Sequence, residues 1–120
     1  MKIKGYVDEN RSPCIYFRSS QSEKYSLVVD TGFNGSLCLP KKLIKELNFQ
    51  KIGTYEVELA DGSIVPSPVY SGEIIWFRQK TEVIAHETVS HEGLIGTELL
   101  RGTYFELDID ANYVMITKKE

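Results

Sequence analysis

The stretch Leu27-Val28-Val29-Asp30-Thr31-Gly32-Phe33-Asn34-Gly35 constrains this chain more than any other. Three apolar residues, two of them β-branched, read as a buried strand. They run straight into a small polar turn that opens with a carboxylate. A buried strand ending this way is costly, because an ionised carboxylate resists leaving water. Thr31 can hydrogen-bond nearby backbone, and Gly32 lets the chain turn where a Cβ would clash. Taken alone, Asp-Thr-Gly fits two descriptions equally: an ordinary junction with Asp30 starting an Asx-turn, or a carboxylate delivered to a cleft. The discriminating residues lie far downstream.

The 120 residues predict a single domain, 1–120, able to bury roughly two-thirds of its unfolded surface. An apolar share of 42% and a charged share of 26% are those of an ordinary globular chain. Net charge is -3, and the 14 basic residues form no cluster larger than Lys41-Lys42 or Lys118-Lys119. Nucleic acid is therefore not an expected partner, since phosphate binding needs a concentrated basic face. No apolar run approaches membrane-spanning length and no export signal opens the chain, so no membrane association and a cytoplasmic location are expected. Cys14 and Cys38 lack metal-type spacing and are expected to be free thiols.

In chain order, Met1 to Val7 alternates as a half-wet strand and pairs through Asp8–Pro13 with Cys14–Arg18. Tyr25 to Val29 delivers Asp30, and Leu37-Cys38-Leu39 is a short strand stopped by Pro40. Leu43, Ile44 and Leu47 fall on one face at helical spacing, most simply a core stripe, with Asn48 as the stop. From Tyr55 the period returns to two: Tyr55, Val57 and Leu59 alternate with Glu56, Glu58 and Ala60. Asp61-Gly62 is the strongest hairpin signal in the chain. Pro66 and Pro68 demote the return arm to an edge or an irregular crossing. Val69–Phe77 and Thr81–His86 read as strands, with Trp76 in the core or an interface. Thr97 is expected to cap a helical turn, and Thr103–Ile109 with Tyr113–Thr117 a closing hairpin. The expected fold is mainly β, a small closed barrel with one or two short helices.

Three elements then stand in order: Asp-Thr-Gly after an apolar strand, an Asp-Gly hairpin tip about thirty residues later, and Leu94-Ile95-Gly96 before Thr97-Glu98-Leu99-Leu100. This trio resembles the retropepsin-like aspartic peptidases, the retroviral proteases and their small prokaryotic relatives. Asp-Thr-Gly-Phe-Asn-Gly with Leu37 and Leu39-Pro40 looks most like the single-domain prokaryotic type. The resemblance spans Tyr25 to Ile116 and implies a retropepsin-like barrel and hydrolysis of peptide bonds.

That chemistry uses two carboxylates sharing a proton, one as base toward a water and one as acid toward the carbonyl oxygen. Only one Asp-Thr-Gly is present; Asp8, Asp61, Asp108 and Asp110 lack the following Thr/Ser-Gly. The resemblance therefore implies a symmetric homodimer with one Asp30 from each chain and no cofactor. By the same likeness, Thr31 bonds across the two-fold axis, and Gly32 offers its N–H to the carboxylate. Leu59, Ala60, Asp61 and Gly62 form a flap over an extended peptide or protein substrate, with Phe33, Asn34 and Ile95 as further substrate contacts.

The chain also departs from the family pattern. Its flap tip holds one glycine, Gly62. Phe33 occupies a position where retroviral members carry Ala and pepsin-like ones Ser or Thr, so it cannot donate to Asp30, and a less acidic optimum than pepsin's is expected. Asn34 stands where the retroviral enzymes have Asp. His86 and His91 are five apart, wrong for one helical face and on opposite faces of a strand, so no metal is expected and both histidines read as solvated. Ser90 and His91 lack a nucleophile elbow. The competing description is a noncatalytic dimerisation or peptide-binding module on the same fold.

Overall fold

The apolar run before Asp30 does form a strand. In the computed structural model, which describes residues 1–120, the chain runs β1 (Lys2–Lys4), β2 (Tyr6–Val7), β3 (Pro13–Ser19), β4 (Lys24–Val29) and β5 (Leu37–Pro40), then α1 (Lys41–Glu46). It continues as β6 (Gln50–Glu58), β7 (Ile64–Trp76), β8 (Gln79–Thr88), β9 (Leu94–Ile95), β10 (Thr103–Asp108) and β11 (Tyr113–Lys118). One sheet orders its strands β2-β3-β4-β9-β5-β8-β7-β6, and a second orders them β1-β11-β10. Two further pairs, Arg18 with Ile75 and Ser19 with Ile74, bring β3 against β7 and curl the large sheet round on itself. The molecule is mainly β as expected. The ring β3-β4-β9-β5-β8-β7 returns to β3 through these two pairs, with β2 and β6 as outer strands and the smaller sheet beside it.

Alternation along the strands builds the core. Phe17, Leu27, Leu37, Ile74, Ala85, Ile95 and Ile116 all turn inward and are buried. Each of these side chains larger than Ala85 stabilises the fold by about 1.5–3 kcal/mol through its burial. Helix α1 adds Ile44, with Leu47 just beyond its end and Leu43 half-buried. It stops where Asn48 turns to a positive φ of 59°, the expected position.

Several expectations are corrected. The N-terminal run is not one strand: it breaks at Gly5, sending β1 to β11 and β2 to β3. The reason is crowding, since a Cβ on Gly5 would overlap the Cys14 carbonyl and come within 2.8 Å of Ile15 Cγ2. Pro66 and Pro68, which face Glu56 and Thr54 of β6, do not interrupt β7, but the arm that holds them is an edge as expected, paired on one side only. Two residues apart, both prolines turn their missing N–H to one side, and pairing with β8 begins only at Val69. The segment after Gly96 is a pair of turns, Leu100 N to Thr97 O at 3.2 Å and Arg101 N to Glu98 O at 3.4 Å, so α1 is the single helix. Thr97 does not cap it; its hydroxyl donates to the Phe33 carbonyl at 3.4 Å. Strand β11 lies between β1 and β10 of its own chain. No helix is long and apolar enough to cross a membrane.

Candidate active site

Asp30 follows directly on β4, and the two-residue strand β9 fixes where it emerges. β9 pairs in parallel with β4 (Val29 with Ile95) and antiparallel with β5 (Leu37 with Ile95). The Asp30 N–H donates to the Ile95 carbonyl at 2.9 Å. Beyond it, the loop is tied at both ends: Phe33 N–H to Asp30 O at 3.1 Å, Thr97 N–H to Phe33 O at 2.8 Å, and Gly96 N–H to Ser36 O at 3.0 Å. Gly96 is required by this closeness, because a Cβ there would overlap the Gly35 carbonyl and stand 2.5 Å from that of Phe33.

The carboxylate is half-buried, and its Oδ1 accepts the Gly32 N–H at 2.8 Å. Thr31, Gly32 and Asn34 are exposed, and neither Thr31 nor Asn34 makes a side-chain hydrogen bond within the chain. Phe33 is half-buried, its ring edge-on to His86 with centroids 5.9 Å apart. Ile95 is corrected: its side chain has 0% exposure and belongs to the core, so a single chain offers only its backbone to the site. None of the molecule's four cavities is lined by Asp30, which stands on an open face.

The expected hairpin is present, with β6 and β7 as its arms. Leu59 N–H donates to Ser63 O at 2.8 Å and Gly62 N–H to Leu59 O at 2.9 Å, leaving Gly62 at a φ of +86°. This is a three-residue loop of a turn followed by a left-handed glycine. Asp61 Oδ1 accepts both the hydroxyl (2.6 Å) and the N–H (2.9 Å) of Ser63, which hold its carboxyl below the usual range. Leu59, Ala60, Asp61 and Gly62 are all exposed, as are Tyr55, Val57, Ile64 and Val65.

Sequence reasoning passed over the face that joins loop to hairpin. His86 lies on β8 as expected but is half-buried rather than solvated, with Tyr55 of the hairpin 6.3 Å from its ring. Its register partner Cys38 is half-buried too. Burial pushes the Cys38 thiol up; the Thr88 hydroxyl opposes this, and the charge of Asp30 adds to it. Parity was the available signal: Val83 and Ala85 face the core, so Ile84, His86 and Thr88 face away. Cys14 is buried and unpaired, its thiol pushed up to about 11 by burial and then by Asp8. No three His, Cys, Asp or Glu side chains gather in a way that would hold a metal ion.

No family model matches the chain, and no curated protein matches it by sequence. Among solved structures it is similar to the crystal structure of a retropepsin-like aspartic protease from Rickettsia conorii, with a TM-score of 0.73. That match covers 98% of this chain and 91% of the other at 16% sequence identity. The chain has a retropepsin-like fold.

Proposed function

We propose that this protein is an aspartic endopeptidase whose site is completed by a second copy of itself, Asp30 meeting Asp30 across a two-fold axis. One observation carries the reading: in a retropepsin-like fold, the sole Asp-Thr-Gly lies on an open face with its carboxylate already oriented by Gly32.

In the dimer a water sits between the two carboxylates. One Asp30, ionised, takes the water's proton as the oxygen attacks the peptide carbonyl; the other, protonated, donates to the developing oxyanion. Like charges about 3 Å apart cannot both ionise, so the pair shares one proton and titrates as a unit. Thr31, without a partner in its own chain, bonds across the axis. The Leu59–Ser63 hairpin closes over an extended peptide and excludes water. Ala60, Asp61 and Gly62 meet the substrate from above, and Phe33 and Asn34 from below. With Phe33 turned to His86 and unable to donate to Asp30, the activity peaks above about pH 3, near or over the ordinary Asp range of about 3.9.

The test is cleavage of a diverse peptide mixture between about pH 4 and 7, near the carboxylate range, at a concentration where sedimentation shows dimer. Asp30→Asn is expected to keep the dimer and lose cleavage by at least the ~10²–10⁴-fold that a positioned acid–base group supplies. Cleavage surviving in that variant, or a protein monomeric at every concentration, overturns the proposal. A stable dimer without cleavage favours a peptide-binding module.

A further inference from the structure

The largest cavity lies at the other end of the molecule from Asp30. It holds about 570 Å³ and opens between β1, the end of β3 and the β7–β8 turn. Arg18 pairs with Lys24 at the start of β4, whereas Asp30 follows its end. Six residues of strand put the two regions about 20 Å apart.

The cavity is apolar inside and cationic at the mouth. Phe17, Ile75, Trp76 and Phe77 line it, three of them buried. Lys2, Arg18 and Arg78 line it as exposed cations, and no acidic residue does. None of the three is in an ion pair; the single ion pair of the molecule is Arg101 with Glu98. Arg18 spends one N–H on the Ser22 carbonyl at 2.9 Å, leaving the rest of its fork free. In a chain of net charge -3, three unpaired cations around an aromatic pocket are a local reversal of sign.

The β7–β8 turn is an independent observation. Phe77 and Arg78 are its two central residues, with φ of 50° and 63°, between paired Trp76 and Gln79. A two-residue hairpin turn of this hand favours Asn-Gly. Bulky L-residues occupy both left-handed positions against that preference, and both line the cavity. Core packing holds Phe77 there, edge-on to Trp76 at 5.3 Å, whereas Arg78 is exposed and has no such contact.

We infer that this cavity binds a small amphiphilic monocarboxylate, its apolar tail on Trp76 and Phe77 and its carboxylate held by Arg18 and Arg78. Guanidinium groups suit this role because their planar forks match a carboxylate bidentately. The volume lies within the usual range for small-molecule sites, roughly 300–1,000 Å³. The inference is independent of the peptidase reading.

Trp76 is the only tryptophan, so its fluorescence reports the site directly. The full chain is titrated with octanoate, octanol and octyltrimethylammonium, with Arg18→Gln/Arg78→Gln as the variant. A saturable change with octanoate is expected, at least about tenfold tighter than with octanol and absent with the ammonium. The double variant should melt as the wild type does and weaken octanoate at least about tenfold while leaving octanol unchanged. Should the variant not fold, salt serves instead: raising ionic strength must weaken octanoate and spare octanol. No saturable change below about 10 mM octanoate, an affinity too weak for a built site, overturns the inference. So does an equal response to all three compounds. Tighter binding of N-acetyl-Leu-Phe, a peptide carboxylate, overturns the small-molecule assignment.

Discussion

Asp30 and Asp61 sit in nearly the same local device. Each accepts, on Oδ1, the backbone N–H two residues on, at 2.8 Å from Gly32 and 2.9 Å from Ser63. Asp61 is followed directly by Gly62 at a φ of +86°, whereas Gly32, two residues after Asp30, needs no positive φ. Their surroundings differ. The Asp30 loop is bound by β9, by Ser36 and by Thr97, and Gly96 presses against its carbonyls. The Asp61 turn ends a hairpin whose residues 54–66 are all exposed, and a Cβ on Gly62 would meet nothing within 4 Å. An Asx-turn is therefore not a site by itself. What separates a fixed carboxylate from an exposed tip is the packing behind it.

Alanine at the two glycines breaks the comparison most sharply. Gly96→Ala forces a methyl into two backbone carbonyls that cannot yield. We expect a loss of about 3 kcal/mol or more, seen as a large fall in Tm or as insoluble protein. Gly62→Ala meets open space and is charged only for its positive φ, about 1–2 kcal/mol. A Gly96 variant as stable as the Gly62 variant would mean that the loop is not held as described. Denaturant midpoints of the two proteins decide the matter.

This contrast also marks what could be read from the residues alone. The β4 strand, the α1 stripe, the Asp61-Gly62 tip and the β10–β11 hairpin were legible because periodicity and turn chemistry are local. The break at Gly5 was not, since it comes from the Cys14 carbonyl, a neighbour across a strand pair. Pro66 and Pro68 rightly marked an edge, since residues 64–68 pair with β6 alone, but they do not interrupt the strand, because their missing N–H groups fall on the free side. For the candidate site, Asp30, Thr31 and Gly32 were legible as a motif. Ile95 was assigned to substrate from its motif position, yet parallel pairing with β4 buries it. His86 was set aside with His91 as solvated; its parity turns it away from the core, but Phe33 and Tyr55, distant in sequence, half-bury it on that outer face.

The hairpin's apolar residues give the next smaller effect. Leu59→Ser removes a side chain that is 46% exposed at the tip, so stability should change by no more than about 0.5 kcal/mol. If the tip closes on substrate, the same variant loses binding surface shared by ground and transition states. KM should then rise several-fold with kcat little changed, about 1 kcal/mol for the lost apolar contact. A large drop in Tm would show instead that the tip is packed in the working protein. An unaltered KM in an active enzyme would remove Leu59 from the lid.

The smallest effect is on a thiol, and it probes the floor without needing turnover. Cys38 is raised first by burial, against the Thr88 hydroxyl, with the Asp30 charge as the lesser raising cause. The sign follows: a negative charge nearby disfavours thiolate, so removing it lets Cys38 ionise more readily. In Asp30→Asn, alkylation of Cys38 by iodoacetamide near pH 8 should accelerate. The gain should stay under about tenfold, the change in thiolate that a full pKa unit would bring. Cys14, near 11, reacts more slowly and is told apart by peptide mapping. Leu59→Ser should leave the Cys38 rate alone, because an exposed hairpin tip adds nothing to the thiol's burial. Acceleration in both variants would mean that the hairpin shields the floor, and that the two regions are coupled in the free chain. An unchanged rate in Asp30→Asn would mean that the carboxylate is screened from β5 by water, and that the floor is more open than its hydrogen bonds require.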